Sequence, residues 1–151
     1  MEQDAVKLYL KEGTVIEVLF DDGITKRYDM EKLFAKYPWV SALQDRALFL
    51  KGRLLGWGSI VWNDEIDVDA ETVYDCGETV ASPSDAEQVV FGYRLKKARL
   101  KAELTQEELS ERTGVDQSDI SKLEKGTLNP SVGLLRRVAK GLGKSISIVL
   151  L

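Results

Sequence analysis

Residues 104–126, LTQEELSERTGVDQSDISKLEKG, constrain this chain more than any other stretch. Thr105 can cap a helix, because its hydroxyl can accept from the free amide three residues on. Glu108 stands at that position and can reach back, which makes a T-x-x-E capping box. Leu109 supplies an apolar position one turn in. Gly114 follows the last polar turn as a left-handed C-cap. Val115 packs the turn, and Asp116 can cap a second helix. Ile120 and Leu123 form that helix's inward face at a spacing of three, and Gly126 ends it. The stretch is a helix-turn-helix in outline.

Charge sets this half apart from the other. The whole chain carries −4, but residues 1–85 hold 9 Lys+Arg against 17 Asp+Glu, and residues 86–151 hold 12 against 8. The second half should therefore attract nucleic acid and the first repel it. There is no histidine. Ser-His and Cys-His catalysis and histidine metal ligation are thereby removed. The single cysteine, Cys76, excludes an internal disulfide and any multi-cysteine zinc site. No apolar run approaches 18 residues, and the acidic start Met1-Glu2-Gln3-Asp4 lacks the pattern of a signal peptide. A cytoplasmic protein without a cofactor is expected.

The order Gly92-Tyr93-Arg94-Leu95 with Arg99, Leu104 to Leu109, Gly114-Val115, Ile120 to Gly126, Asn129-Pro130-Ser131 and Leu134-Leu135 resembles the Cro and phage-repressor-like (XRE) helix-turn-helix family. The resemblance runs from about Phe91 to Leu142. It implies a lambda repressor-like all-α domain that binds double-stranded DNA. It also implies that Gln106 contacts phosphate and braces Gln117. The first turn of the second helix should enter the major groove. There Gln117 can bond adenine bidentately, and Ser118 can donate or accept. Ser121 and Lys122, one turn later, can reach a base or phosphate. Arg94, Lys96, Lys97 and Lys125 are candidates for phosphate contacts. Asp116 and Asp119 depart from this pattern, since a carboxylate beside phosphate is repulsive. The helix dipole favours both in a first turn, and a helical domain that mediates only protein contacts is the alternative they raise.

The first half reads differently. Val6 to Leu10, Thr14 to Phe20 and Ile24 to Tyr28 predict a three-stranded antiparallel meander, with turns at Glu12-Gly13 and Asp22-Gly23. Asp29 should cap a short helix over Met30 to Lys36, broken at Tyr37-Pro38. Trp39, Val40 and Leu43 look buried. Asp45 should cap another turn. Arg53 to Leu55 and Ser59 to Trp62 read as short strands, and Asp69 should cap a helix from Ala70 to Cys76, where Cys76 is a packed small apolar residue. Tyr28-Asp29, Leu33, Asp45, Leu48-Phe49, Ile60 to Asp67, Thr72 to Tyr74 and Gly77 resemble a small bacterial domain of unknown function of the DUF2442 type. That resemblance implies a compact α+β fold in regulatory or toxin–antitoxin-like operons. The carboxylates Asp64, Glu65, Asp67, Asp69 and Glu71 raise metal binding or acid–base hydrolysis, but they lack the glycine and the late glutamate of an EF-hand loop.

The expected organisation is an α+β domain over residues 1–78, a polar linker over 79–85, and a helix-turn-helix domain over 86–151. In the latter a first helix opens on a Ser84/Glu87 capping box and buries Val90, Leu95 and Ala98. A fourth helix begins after Ser131 and stops at Gly141 and Gly143. Ile146, Ile148 and Leu150 then alternate with Ser145, Ser147 and Val149, which predicts a strand. Such a strand needs a partner: either the edge of the N-terminal sheet or the same strand of a second copy in a homodimer. The expected function is a sequence-specific DNA-binding transcriptional regulator, a repressor, and not an enzyme. The rival is an antitoxin whose first half binds a toxin protein while the second half represses its operon. A small ligand is the other partner open to the first half. A small metal-dependent hydrolase is the reading from another class.

Overall fold

A computed structural model describes residues 3–151; Met1 and Glu2 of the acidic start lie outside them. The chain divides into two compact units, residues 1–86 and 87–151.

In the first unit β1 (Ala5–Leu10), β2 (Val15–Phe20) and β3 (Thr25–Asp29) form an antiparallel meander. Ile16, Val18 and Phe20 alternate into one face, as a period of two requires. Asp29 accepts from the Glu31 amide and starts a 3-10 turn of Met30–Leu33, shorter than the helix to Lys36 that the sequence suggests. A second 3-10 segment, Pro38–Gln44, buries Val40 and Leu43. Trp39, expected inside, is 52% exposed instead. Its indole N–H already bonds the Glu65 carbonyl at 3.0 Å, so the ring edge is anchored at the surface. Asp45 accepts from Ala47 N and caps α1 (Arg46–Phe49).

The strands β4 (Arg53–Leu55), β5 (Ser59–Val61) and β6 (Asp67–Asp69) make a second, three-stranded antiparallel sheet. α2 (Ala70–Cys76) follows. Asp69 occupies its N-cap, but its side chain makes no cap bond. Cys76 is exposed rather than packed; the buried positions of this short helix are Ala70 and Val73. The polar stretch after Gly77 also differs from expectation. Glu78–Val80 is β7, paired antiparallel with β3 at the sheet edge. The Ser82 hydroxyl donates to Gly23 O at 2.9 Å and lies 2.7 Å from Thr25 Oγ1. Three edge residues, two of them polar, carry too short a pattern to be distinguished from a linker by composition. One apolar cluster, with Ile16, Phe20, Met30, Leu43, Phe49 and Ile60 fully buried, closes this unit.

The second unit contains α3 (Ala86–Lys101), α4 (Gln106–Thr113), α5 (Gln117–Lys125) and α6 (Val132–Gly141). On α3 the buried positions are Val89, Gly92, Tyr93, Leu95 and Arg99. Val90 and Ala98, expected inside, are half-buried, one residue out of phase with Val89 and Arg99. Ser131 accepts from the Leu134 amide at 3.1 Å and starts α6, and Val138 turns inward. The expected strand over residues 146–150 is absent. The chain after Lys144 carries no secondary structure, and the N-terminal sheet is ordered β1-β2-β3-β7 without it. Ile146 is half-buried, and the apolar side chains beyond it stay in solvent, with Ile148 59% and Leu150 97% exposed. An alternating pattern makes a strand only where a neighbouring strand supplies the other half of each hydrogen bond.

Candidate nucleic-acid interface

The two helices α4 and α5 are set by local chemistry. Thr105 Oγ1 accepts from Glu108 N at 3.1 Å, and Glu108 Oε1 accepts from Thr105 N at 3.1 Å, so both arms of the capping box form. Gly114 takes φ 71°, which costs a side-chain-bearing residue dearly, and its amide closes α4 on Ser110 O. The Ser110 hydroxyl donates to Val115 O at 2.6 Å, which pins the turn itself. The Arg137 guanidinium donates to Thr113 O at 3.0 Å and places a cation at the C-terminus of α4. Asp116 stands at the N-cap of α5 but makes no side-chain cap bond, against expectation.

Leu109, Val115, Ile120 and Leu123 are buried between the helices. Burial of Ile120 and Leu123 forces the opposite side of α5 outward. Gln117, Ser118, Lys122 and Lys125 are exposed, and Ser121 is half-buried at the edge of that side. Ser118, Lys122 and Lys125 fall within about 60° of one another around the axis. The structure thus brings five of the sequence-derived candidates onto one helix. Asp119 is half-buried on the flank and makes no ion pair among the described residues.

The remaining candidates occupy other helices. Gln106, the first residue of α4, is half-buried, and its amide donates to Glu124 Oε1 at 3.1 Å. Gln106 and Gln117 border one open depression together with Thr105 and Glu107. Arg94 and Lys97 lie on α3. Lys97 Nζ donates to the Tyr93 hydroxyl one turn earlier at 3.0 Å. Gly92 has a plain structural reason. A Cβ there would collide with the Leu123 and Glu124 carbonyls, so a close crossing of α3 over the end of α5 requires glycine.

Sequence reasoning missed what holds α5 in place. Arg99 is 7% exposed. Its Nε donates to Glu124 Oε2 at 2.7 Å, its Nη2 to Glu124 Oε1 at 3.0 Å and its Nη1 to Leu104 O at 2.7 Å. The hydrogen bond to Glu124 raises the Arg99 pKa above its ordinary value, so the guanidinium stays charged. A bidentate pair of this kind fixes orientation as well as distance. Arg99 ties α3 to the loop before α4 through Leu104 O and to the last turn of α5 through the Glu124 carboxylate, on which Gln106 converges from α4. The available signal was weak: an arginine one turn after Leu95, in phase with the buried side, and a glutamate next to Leu123.

In the first unit, no group of three or more Asp, Glu, His or Cys side chains among the described residues is arranged to hold a metal ion. Asn63 Oδ1 accepts from the amides of Glu65 and Ile66, so the acidic stretch opens on an ordinary side-chain-to-backbone turn. No helix is long and apolar enough to cross a membrane among the described residues.

Comparison with known proteins places both halves. Residues 95–149 match the helix-turn-helix family. Residues 5–78 match a family described as protein of unknown function (DUF2442). An uncharacterized HTH-type transcriptional regulator of Methanothermobacter thermautotrophicus is 46% identical over 50 residues, which are 33% of this chain and 72% of that protein. Another, from Archaeoglobus fulgidus, is 47% identical over 47 residues, 31% of this chain and 66% of that one. Among solved structures, the restriction-modification controller protein C.AhdI from Aeromonas hydrophila shares 33% identity over 40% of this chain and 91% of its own, with a TM-score of 0.39.

Proposed function

The chain belongs to the helix-turn-helix family of DNA-binding transcriptional regulators, and on that premise we propose that it is a sequence-specific repressor, acting in the cytoplasm as a homodimer and not as an enzyme. The observation that carries this reading is the exposed side of α5. Two groups able to read base edges, Gln117 and Ser118, open the helix, and two cations, Lys122 and Lys125, close it. Amide and hydroxyl groups suit base edges in the major groove, and lysines suit guanine or phosphate. The Arg99–Glu124–Gln106 network supports the reading, because base readout needs a helix held at fixed depth and tilt.

One recognition helix reads too few base pairs for a unique site, so a two-fold pair is proposed, with its helices roughly 34 Å apart, one DNA turn. Blocking a promoter is the simplest consequence of occupying it. Gln106 and the α3 cations Arg94 and Lys97 are proposed as backbone contacts that set register, and Ser121 as a contact at the groove's edge. Asp119 is proposed to reject phosphate on its side of the helix.

The test is Gln117→Ala. The expected loss is about 1–3 kcal/mol of specific binding, with preference relaxed at one operator position. An unchanged operator profile removes Gln117 from the reading.

One observation favours a second reading, an antitoxin whose first unit grips a protein. Trp39 is exposed and stacks edge-on against Tyr37 at 5.5 Å, and exposed aromatics of this kind serve as anchors in protein interfaces. A toxin gene beside this one, and co-purification of its product, would favour that reading. A small ligand at the first unit would instead leave the chain unaccompanied.

A further inference from the structure

Two features of the second unit are unexplained by DNA binding. The first is the segment after Lys144. Ile148, Val149, Leu150 and Leu151 are all more than half exposed in an unbroken run. Contiguous apolar exposure of this kind marks an interaction surface rather than scattered surface residues. The second is a groove of about 300 Å³ between the start of α3, the α5–α6 loop and α6. Phe91, Leu128, Pro130 and Leu135 supply its apolar lining. Glu87, Gln88 and Asn129 supply its polar groups.

We propose that residues 145–151 of one copy seat in this groove of a second copy, and that the exchange is reciprocal. The segment does not fill its own groove: none of residues 145–151 lines it, and Ile148 to Leu151 lie in solvent within the single chain, with only Ile146 half-buried. The chemistry of the two surfaces matches. An extended segment places Ile146, Ile148 and Leu150 on one side, facing an apolar lining. Its backbone N–H and C=O groups have no partner strand, and the Gln88 and Asn129 amides can bond both kinds. The segment's side chains carry no charge. Lys144 stands at its base, and Glu87 is the one charged residue among those lining the groove. Reciprocal exchange is isologous and closes as a two-fold pair, whereas one-way seating would leave a free segment and a free groove at the ends of a chain of copies. A single segment in a groove is a small contact. Reciprocity doubles it toward the roughly 1,200 Å² at which stable protein interfaces begin.

This inference rests on the homodimer proposed above and supplies its contact. The experiment is therefore run on the full chain without DNA, by sedimentation equilibrium, so a failed operator selection and a failed mass measurement are distinguishable. The expected result is a dimer for the wild type and a chain lacking residues 145–151 that is monomeric up to about 100 µM. The segment is exposed, so its removal should leave the thermal transition in place. Glu87→Lys and Lys144→Glu should each weaken the dimer about 3- to 10-fold, and the double variant should return to within about 2-fold of wild type. A monomeric wild type, or a truncated chain with unchanged dimer affinity, overturns the proposal. So does a truncated chain that dissociates while the two charge variants neither weaken the dimer nor compensate each other, since the segments would then pair with one another outside the groove.

Discussion

The two units solve the problem of holding their elements together in opposite ways. Among the described residues, the first has fifteen buried residues in one apolar cluster, and the second has seven. With fifteen, packing positions two sheets, two 3-10 segments and two short helices. The unit's charged and hydroxyl pairs each keep one partner open to solvent, although Thr14 and Thr25 are themselves buried: Thr14 with Asp29, Thr25 with Ser82, Arg27 with Glu17. With seven, apolar packing leaves the helices free to slide, because leucine and isoleucine contacts are not directional. The second unit adds a directional device, a buried arginine and glutamate whose side chains are 9% and 3% exposed. A buried ion pair is weak evidence for net stability, since desolvation offsets much of the attraction. Its use here is geometric. The unit that must present one helix face to DNA is the one whose last α5 turn is tied to α3 and α4 by hydrogen bonds.

That contrast can be broken. Arg99→Leu leaves Glu124 buried without a counter-charge. It should destabilise the second unit by about 3–5 kcal/mol and leave the first unit's transition where it was. Denaturant unfolding of residues 87–151 and of residues 1–85 as separate fragments would measure both. A fragment ending at residue 78 is the wrong comparison, since it lacks most of β7.

The converse substitution acts on the other unit. Ile16→Ala opens a cavity beneath β2 and should cost ~2–5 kcal/mol in the first unit, with operator affinity unchanged in the full chain. Affinity falling in step with stability would mean that the two units share a transition.

Thr105→Ala removes the hydroxyl arm of the capping box, worth about 1 kcal/mol. The small core makes that loss visible in the second unit's midpoint, whereas Asp69→Ala, at a cap without a side-chain bond, should shift the first unit's midpoint far less.

What the sequence disclosed and what it hid follow the same physics. The Thr105–Glu108 box, the left-handed Gly114, the Ser131 cap and the Asp29 cap each join residues two to four positions apart, so spacing alone specifies them. The meander was legible because alternation in β1 and β2 faces one core. Arg99 and Glu124 are 25 residues apart, and no local pattern pairs them. Trp39 reads as core by type and lies at the surface because its N–H found a carbonyl on another loop. β7 reads as linker in the sequence because an edge strand with exposed Glu78 and Thr79 has no inward face to betray it. The segment after Lys144 shows the reverse error: strand-like alternation without a neighbouring strand. Asp116 has the residue type of an N-cap but not the bond.

The central claim is that the exposed side of α5 reads a defined DNA sequence. Selecting genomic fragments with the purified full chain, in parallel with Gln117→Ala and Lys122→Ala, tests it most directly. The account predicts one enriched motif for the wild type, with two-fold symmetry and half-sites about one turn, roughly 34 Å, apart. Each variant should relax a different position of that motif. Fragments recovered by the wild type with no common sequence, at an affinity that salt alone governs, would contradict it.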